Sequence, residues 1–132
     1  MTETRTAPSG WLSLSQACAR LRSAGVGDAD LLPTIAWAGL RKRIIATGFR
    51  SVLVGHNPSE SVEREILRIA TWHVLTSDRA PAVGYERSID GECLVWTWSD
   101  GADFRQEAYS CVLIDRPSFE ILLSDLTARA IA

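Results

Sequence analysis

Four cationic side chains surround a short apolar run in the segment GLRKRIIATGFR. Arg41, Lys42 and Arg43 are consecutive, and Arg50 follows after a stretch rich in β-branched residues. Cations at this density neutralise phosphates, and such binding weakens as the salt concentration rises because counterions are released. The four residues are therefore predicted to form a basic ridge that contacts nucleic acid. The alternative is structural, since cations at the end of a helix complement its dipole.

Two tryptophans stand two residues apart in the segment CLVWTWS. Side chains alternate between the faces of a strand, so Trp96 and Trp98 would share one face. Aromatic rings on an exposed face stack on bases or form the centre of a protein contact. The pair is therefore a candidate partner-binding surface, and burial under a helix is the other interpretation.

No combination of nucleophile, base and charge stabiliser stands out in the sequence. His73 falls on an apolar stripe, where a structural histidine is more common than a catalytic one, and His56 precedes a predicted helix cap. The acidic residues close to the two histidines in sequence are Glu60, Glu63 and Glu65. They lie near a predicted helix N-terminus, where carboxylates stabilise the helix dipole. The Gly-Val-Gly at 25–27 lacks the other residues of a phosphate-binding loop. We expect no catalysis, metal or cofactor.

Length and composition are those of one folded domain. The chain has 132 residues, of which 46% are apolar and 23% charged, whereas disordered chains have fewer apolar residues and a larger net charge. The net charge of -2 is unevenly distributed: residues 1–56 hold seven Lys/Arg against three Asp/Glu, and residues 57–132 hold seven against thirteen. One basic and one acidic half are expected, although scatter among so few charges is an equal explanation.

The segment Met1–Gly10 is polar, and the longest uncharged apolar stretch, Leu31–Leu40, is too short to cross a bilayer. We therefore expect a flexible tail over residues 1–10, a single domain over residues 11–132 and a cytoplasmic location. The three cysteines are widely spaced and form no CxxC pair, which predicts reduced, structural thiols. They are Cys18, Cys93 and Cys111.

Two helices and a strand are predicted in the N-terminal part. Ser13 and Gln16 have the spacing of a capping box, and apolar residues then follow one helical stripe until a stop at Gly25. That stripe consists of Leu14, Ala17, Cys18 and Leu21. A second helix is expected from Asp28 or Asp30 to residues 41–43, with Pro33 in its first turn. The segment IIATGFRSVLVG is predicted to be a strand or short hairpin, irregular at Gly48.

The C-terminal part predicts a helix, a hairpin and a last helix. Asn57 and Pro58 suit a helix start, so NPSESVEREILRIATWHVLTSD is expected to be the third helix. Its apolar face would hold Val62, Ile66, Ile69 and His73. GYERSIDGE reads as a turn region, and Cys93–Ser99 is expected to pair with Tyr109–Asp115 through the turn DGADF. A helix in RPSFEILLSDLTARAIA should dock through Phe119, Leu122, Leu123, Leu126 and Ala130. This order of helices and strands along the chain predicts an α+β fold of about four helices with a small antiparallel sheet.

The N-terminal half resembles a known DNA-binding architecture. WLSLSQACARL, followed by a helix that ends in AGLRKRIIATGFR, resembles excisionase and MerR-type winged helix-turn-helix domains, and VLIDRPSFEILL resembles a strand-to-helix exit common in them. Over its whole length the chain is similar to uncharacterised bacterial proteins. The resemblance implies a winged-helix-like part at residues 11–56, with Leu31–Arg43 as recognition helix and Ile44–Val54 as wing. Pro33 and Trp37 stand where Arg, Asn or Gln would read base edges, so it does not imply sequence-specific reading.

The sequence thus favours a non-enzymatic regulatory or accessory protein that contacts nucleic acid through Arg41, Lys42, Arg43 and Arg50. The alternative is a protein-interaction or self-associating module, an adaptor or inhibitor that uses the Trp96/Trp98 hairpin and binds no nucleic acid. The expected partners are nucleic acid, another protein or a second copy of the chain. A membrane or a small-molecule substrate is not expected.

Overall fold

The computed structural model describes residues 9–76, 86–100 and 103–131. These residues form four helices: α1 (Leu14–Ser23), α2 (Asp28–Leu40), α3 (Ile69–Thr76) and α4 (Arg116–Ile131). They also form seven strands: β1 (Trp11–Ser13), β2 (Ala46–Val54), β3 (Asn57–Glu60), β4 (Glu65–Ile66), β5 (Glu86–Asp90), β6 (Cys93–Asp100) and β7 (Asp103–Asp115). Every strand pair is antiparallel. The α+β class is confirmed. The predicted flexible tail falls mostly on residues 1–8, outside the described residues.

The long strand β7 organises the sheet. The strand order is β3-β2-β7-β6-β5, with β1 paired to the end of β7 and β4 paired to the start of β2. The register of β2 against β7 shifts between Thr47 and Phe49, so the irregularity predicted at Gly48 is confirmed. One strand therefore holds together segments from both ends of the chain.

The core lies between one face of the sheet and the helices. Leu94 of β6 and Tyr109 and Ile114 of β7 have no exposed surface. They belong to one buried cluster with residues from every helix, among them Leu14, Leu21, Ile35, Trp72 and Phe119. Because successive side chains of a strand point to opposite faces, one face of β6 and β7 contributes to this core.

Helix α1 begins and ends as its sequence predicts. The backbone N–H of Gln16 donates to Ser13 Oγ at 3.1 Å, and the N–H of Ser13 donates to Gln16 Oε1 at 2.9 Å. All four residues of the predicted stripe are buried. After the helix, Gly25 has a φ of +96° and its N–H donates to the Arg22 carbonyl, as in a Schellman motif. The capping box, the buried stripe and the stop are confirmed.

Helix α2 is close to its prediction but starts differently. Its N-cap is Gly27, without a side-chain capping bond, and Pro33 therefore lies in the second turn instead of the first. At the other end the helix stops at Leu40. Lys42 has a φ of +60°, and its N–H donates to the Gly39 carbonyl at 3.1 Å. The chain reverses here in a left-handed turn.

The third predicted helix is wrong over its first half. Asn57–Glu60 forms β3, which pairs with β2 through a tight turn at Gly55, and a second short strand, β4, follows. Residues Ile66 and Ile69, expected in the core, are 65% and 51% exposed. Helix α3 begins only at Ile69, and His73 on it is exposed. Backbone pairing with β2 outweighed the local capping signal, because a nearby strand edge supplies a full set of hydrogen bonds.

The predicted hairpin has the right strands in the wrong register. Leu94 lies opposite Tyr109 and Asp100 opposite Asp103, so β6 pairs with the first half of β7. The second half of β7, expected opposite β6, pairs with β1 and β2. The turn predicted in GYERSIDGE is instead a strand over Glu86–Asp90, which pairs with β6. In α4, Phe119 and Leu122 are buried as expected, and the side chain of Ala130 lies outside the described residues.

Candidate interaction site around Trp37

Trp37 is the most exposed tryptophan of the described side chains, at 48%. It lies on the outer face of α2, whose opposite face is buried through Leu31 and Ile35. The guanidinium of Arg41, one turn later, sits over the indole ring, 5.1 Å from its centre. This cation–π contact places a positive charge directly beside the exposed indole.

A groove of about 620 Å³, here called the α2–α4 groove, runs beside Trp37. Its apolar lining is formed by Val26, Pro33, Trp37, Ala38, Leu122 and Leu126, and its charged lining by Asp30, Arg41 and Arg43. The two arginines flank the C-terminal end of α2, whereas Asp30 lies in the first turn of that helix. The groove is therefore apolar along its floor and cationic at one end.

Arg43 has a partner on α4, beside the groove. Its Nη1 lies 3.2 Å from Asp125 Oδ2, and both side chains are nearly half exposed. An ion pair at this exposure contributes little stability, because water screens it and two long side chains must be ordered. Arg41 and Lys42 form no ion pair with any residue that the structure describes. The cationic end of the groove can thus accept an incoming carboxylate at little energetic cost.

A second cavity, of about 720 Å³, also lies beside Trp37. Pro33 and Trp37 line both spaces. Its walls come from α1, α2, α3 and β5 and include Cys18, whose thiol pKa is raised by burial. At its rim Arg22 Nε and Asp28 Oδ1 are paired at 2.7 Å. Trp37 therefore stands between two concave surfaces instead of on a flat helix face.

The structure separates Arg50 from the other three predicted ridge residues. Arg41, Lys42 and Arg43 follow one another at the end of α2, and all three are exposed. Arg50 lies on β2, where its Nη2 donates to Glu107 Oε1 at 2.7 Å. The Glu107 side chain is only 11% exposed, so its charge is compensated mainly by this arginine. Arg50 therefore stabilises the charge of the Glu107 carboxylate within the sheet.

Trp96 belongs to the same buried network. Its side chain is 2% exposed, and its Nε1 donates to Glu107 Oε2 at 3.0 Å. Its ring centre lies 6.2 Å from that of Tyr109. Trp96 is part of the buried core cluster, so it does not form the exposed partner surface that the sequence predicts. Trp98 has a backbone position in β6 opposite Arg105, and its side chain lies outside the described residues.

Tyr109 connects β7 to β4 through a hydrogen bond. Its hydroxyl donates to Glu65 Oε1 at 2.9 Å. Burial first, and the hydrogen bond to Glu65 second, raise the pKa of the phenol above its usual value. Glu65 was expected at a helix N-terminus, but it lies in β4 and serves as an acceptor for the core tyrosine. No three histidine, cysteine or acidic residues lie within reach of one metal ion in the described ranges.

Sequence reasoning noted Trp37 but did not include it in the predicted site. The signal was present, because Trp37 and Arg41 stand four residues apart, the spacing that brings two side chains together on one helix face. The groove floor could not be predicted. It forms where Leu122 and Leu126 of the last helix meet Val26 near the N-terminus.

Searches against protein-family models, curated proteins and solved structures found no match. The resemblance to winged helix-turn-helix domains therefore stays a prediction. Over the residues that the structure covers, no helix is long and apolar enough to span a membrane.

Proposed function

We propose that this protein is a non-enzymatic interaction module that binds a short segment of another protein in the α2–α4 groove. The observation that carries the proposal is the exposed Trp37, placed between two concave surfaces with Arg41 over its ring. Tryptophan and arginine are the residues that most often dominate the affinity of protein interfaces. A cytoplasmic location, with its reduced thiols, fits this proposal.

The chemistry of the groove defines the segment it would take. An apolar side chain would lie on the floor formed by Val26, Leu122 and Leu126, against the Trp37 ring. An acidic side chain beside it would reach Arg41 at the cationic end. The matching ligand is therefore a short amphipathic peptide that carries aliphatic or aromatic residues next to Asp or Glu.

A selection from random peptides tests the proposal. Twelve-residue peptides displayed on phage would be selected on the full-length protein, and the enriched sequences synthesised and measured by fluorescence anisotropy. We expect enrichment of apolar residues flanked by acidic ones. Loss of a central tryptophan typically costs about 2 kcal/mol or more, so Trp37→Ala should weaken binding at least about 30-fold.

A matched pair of charge variants provides the control. Arg41 lines the groove, whereas its neighbour Lys42 is also exposed but does not line it. Arg41→Ala should weaken peptide binding several-fold, and Lys42→Ala should leave it unchanged. Equal effects of the two substitutions, or tight binding by Trp37→Ala, would contradict the proposal.

Nucleic-acid contact is the second candidate, and the turn at the end of α2 favours it. Lys42 adopts a φ of +60°, a conformation in which glycine is preferred, yet the position holds an exposed cation. Lys42 and Arg41 are not engaged by described carboxylates, although Arg43 and Arg50 are. Random-sequence duplex DNA would be titrated at two salt concentrations with the native protein and with a triple Ala variant at residues 41–43. Salt-sensitive binding that the triple variant loses supports this candidate; its absence in the native protein excludes it.

A further inference from the structure

Cys93 and Cys111 are neighbours across an irregular end of the β6–β7 ladder. Leu94 lies opposite Tyr109, and the N–H of Val112 donates to the carbonyl of Glu92 at 3.0 Å. Between these two points β6 has one residue, Cys93, whereas β7 has two, Ser110 and Cys111. Two residues opposite one define a β-bulge, and Cys111 is its second residue.

This register places Cys93 across the ladder from the bulge that contains Cys111. Residues directly opposite each other on antiparallel strands have Cα atoms about 4.5 to 5.5 Å apart, which falls within the range that a disulfide spans. The position of the two cysteines across one ladder is the geometric basis for a bond between them.

The two thiols differ in their environment. Cys111 is exposed, whereas Cys93 is half buried and the pKa of its thiol is raised, chiefly by burial and further by Asp90. An oxidant from solution therefore reaches Cys111 first. Cys93 is the second thiol, close enough to react with the oxidised form before another molecule does.

The bulge is held in place from outside the ladder. Arg64 Nη1 donates to the Cys111 carbonyl at 2.6 Å, and its guanidinium lies over the Phe49 ring, 4.7 Å from the centre. Cys111 has a φ of +50°, a conformation that costs a non-glycine residue about 1 kcal/mol or more. Arg64 and the ladder on both sides keep this costly conformation, and with it the position of the Cys111 thiol.

We propose that Cys93 and Cys111 are a redox-responsive pair that forms a reversible intramolecular disulfide in the presence of a peroxide. The Cys111 thiol releases its proton, and the thiolate attacks one peroxide oxygen; the O–O bond breaks, and the departing hydroxide takes up that proton and leaves as water, which yields a sulfenic acid. The Cys93 thiol then releases its proton and its thiolate attacks the Cys111 sulfur; the S–O bond breaks, and the departing hydroxide takes up this second proton and leaves as water. Both sulfurs are oxidised by one electron each and the peroxide is reduced by two. A cellular dithiol reverses the reaction by thiol–disulfide exchange.

Mass spectrometry of the full-length protein tests the pair. The reduced protein would be treated with one equivalent of hydrogen peroxide, unfolded, alkylated at its remaining thiols and digested with trypsin, which cleaves after Arg105 between the two cysteines. We expect a cross-linked peptide pair containing Cys93 and Cys111, the loss of two hydrogens from the intact mass, an alkylated Cys18 and full reversal by dithiothreitol.

Single substitutions complete the test. Cys18→Ser should form the cross-link as the native protein does. Cys93→Ser should instead leave a sulfenic acid on Cys111 that a dimedone probe captures, and Cys111→Ser should slow the oxidation of Cys93 at least about tenfold because Cys93 is half buried. Three alkylated thiols after treatment, oxygen added to Cys111 with Cys93 still alkylated in the native protein, or a cross-link between two chains would each overturn the proposal.

Discussion

Helices α2 and α3 are in close contact at Gly39, which has no side chain. Gly39 is buried in the last turn of α2, directly against the indole of Trp72, which is 3% exposed. A methyl group added at Gly39 would lie 2.2 Å from Trp72 Cε2 and 2.3 Å from Cδ2. Carbon atoms in contact stand about 3.5 to 4.0 Å apart. The substitution Gly39→Ala therefore forces the ring or the helix to move by more than 1 Å.

Two opposing effects set the size of the loss. Overpacking a tight core costs about 1 to 3 kcal/mol, and the upper end applies because Trp72 is enclosed and its rigid ring offers no flexible end. Alanine in place of glycine in a helix regains about 1 kcal/mol. The free energy of unfolding should thus fall by about 2 kcal/mol, and the melting temperature by about 8 °C for a chain of this size.

Urea and thermal unfolding followed by circular dichroism measure this loss. The matched control is the same substitution in a Trp72→Leu background, where the space above Gly39 is open. There, Gly39→Ala should be neutral or slightly stabilising, because the helix-propensity gain remains and the clash is gone. A melting temperature unchanged by Gly39→Ala in the native background, or an equal loss in both backgrounds, would refute the reasoning.

Three further predictions concern the core network and the turn after α2. Glu107→Ala should lower the free energy of unfolding by about 1 to 3 kcal/mol, because the buried Trp96 Nε1 loses its acceptor while Arg50 and Arg105 keep contact with water; Glu107→Gln, whose amide oxygen still accepts, should cost less in the same urea titration. Lys42→Gly should raise the stability by about 1 kcal/mol, since glycine adopts the positive φ without strain, and an unchanged unfolding midpoint would contradict this. Because the pKa of Tyr109 is raised in the folded protein, the phenol loses its proton at a lower pH in the unfolded chain. The contribution of this phenol to the free energy of unfolding should therefore be fully present below about pH 10 and should decrease as the pH rises further. A Tyr109→Phe variant should lack that part of the alkaline loss in unfolding measured across pH.

Local signals predicted the elements whose determinants are local. The capping box of Ser13 and Gln16 and the left-handed stop at Gly25 involve neighbours in sequence, and both are present as expected. The apolar stripe of α1 needed no knowledge of its partner, because any core would bury it. The end of α2 was predicted less well, because the helix stops at Leu40 and the three basic residues at 41–43 follow it.

Pairing between distant segments decided the rest. Asn57 and Pro58 fit the start of a helix, but they form a strand because they pair with the edge of β2. The sequence around them contains no information about that edge. The register of β6 depends on β1, which lies far away in sequence and pairs with the end of β7 on the same edge as β6. The groove beside Trp37 has the same origin, since its floor joins the last helix to residues near the start of α2.

The pairing of β1 with the end of β7 also constrains how the chain acquires its structure. Trp11 lies opposite Asp115, so the two strands meet only after a loop of about a hundred residues has closed. During synthesis, β7 is made after β1, β2 and β6, the three strands that all pair with it. Until then α1 has no sheet to pack on, and the edge of β2 stays open to pairing with other chains. Slow folding is expected from this central place of β7, because its pairing with β1 joins residues far apart in sequence.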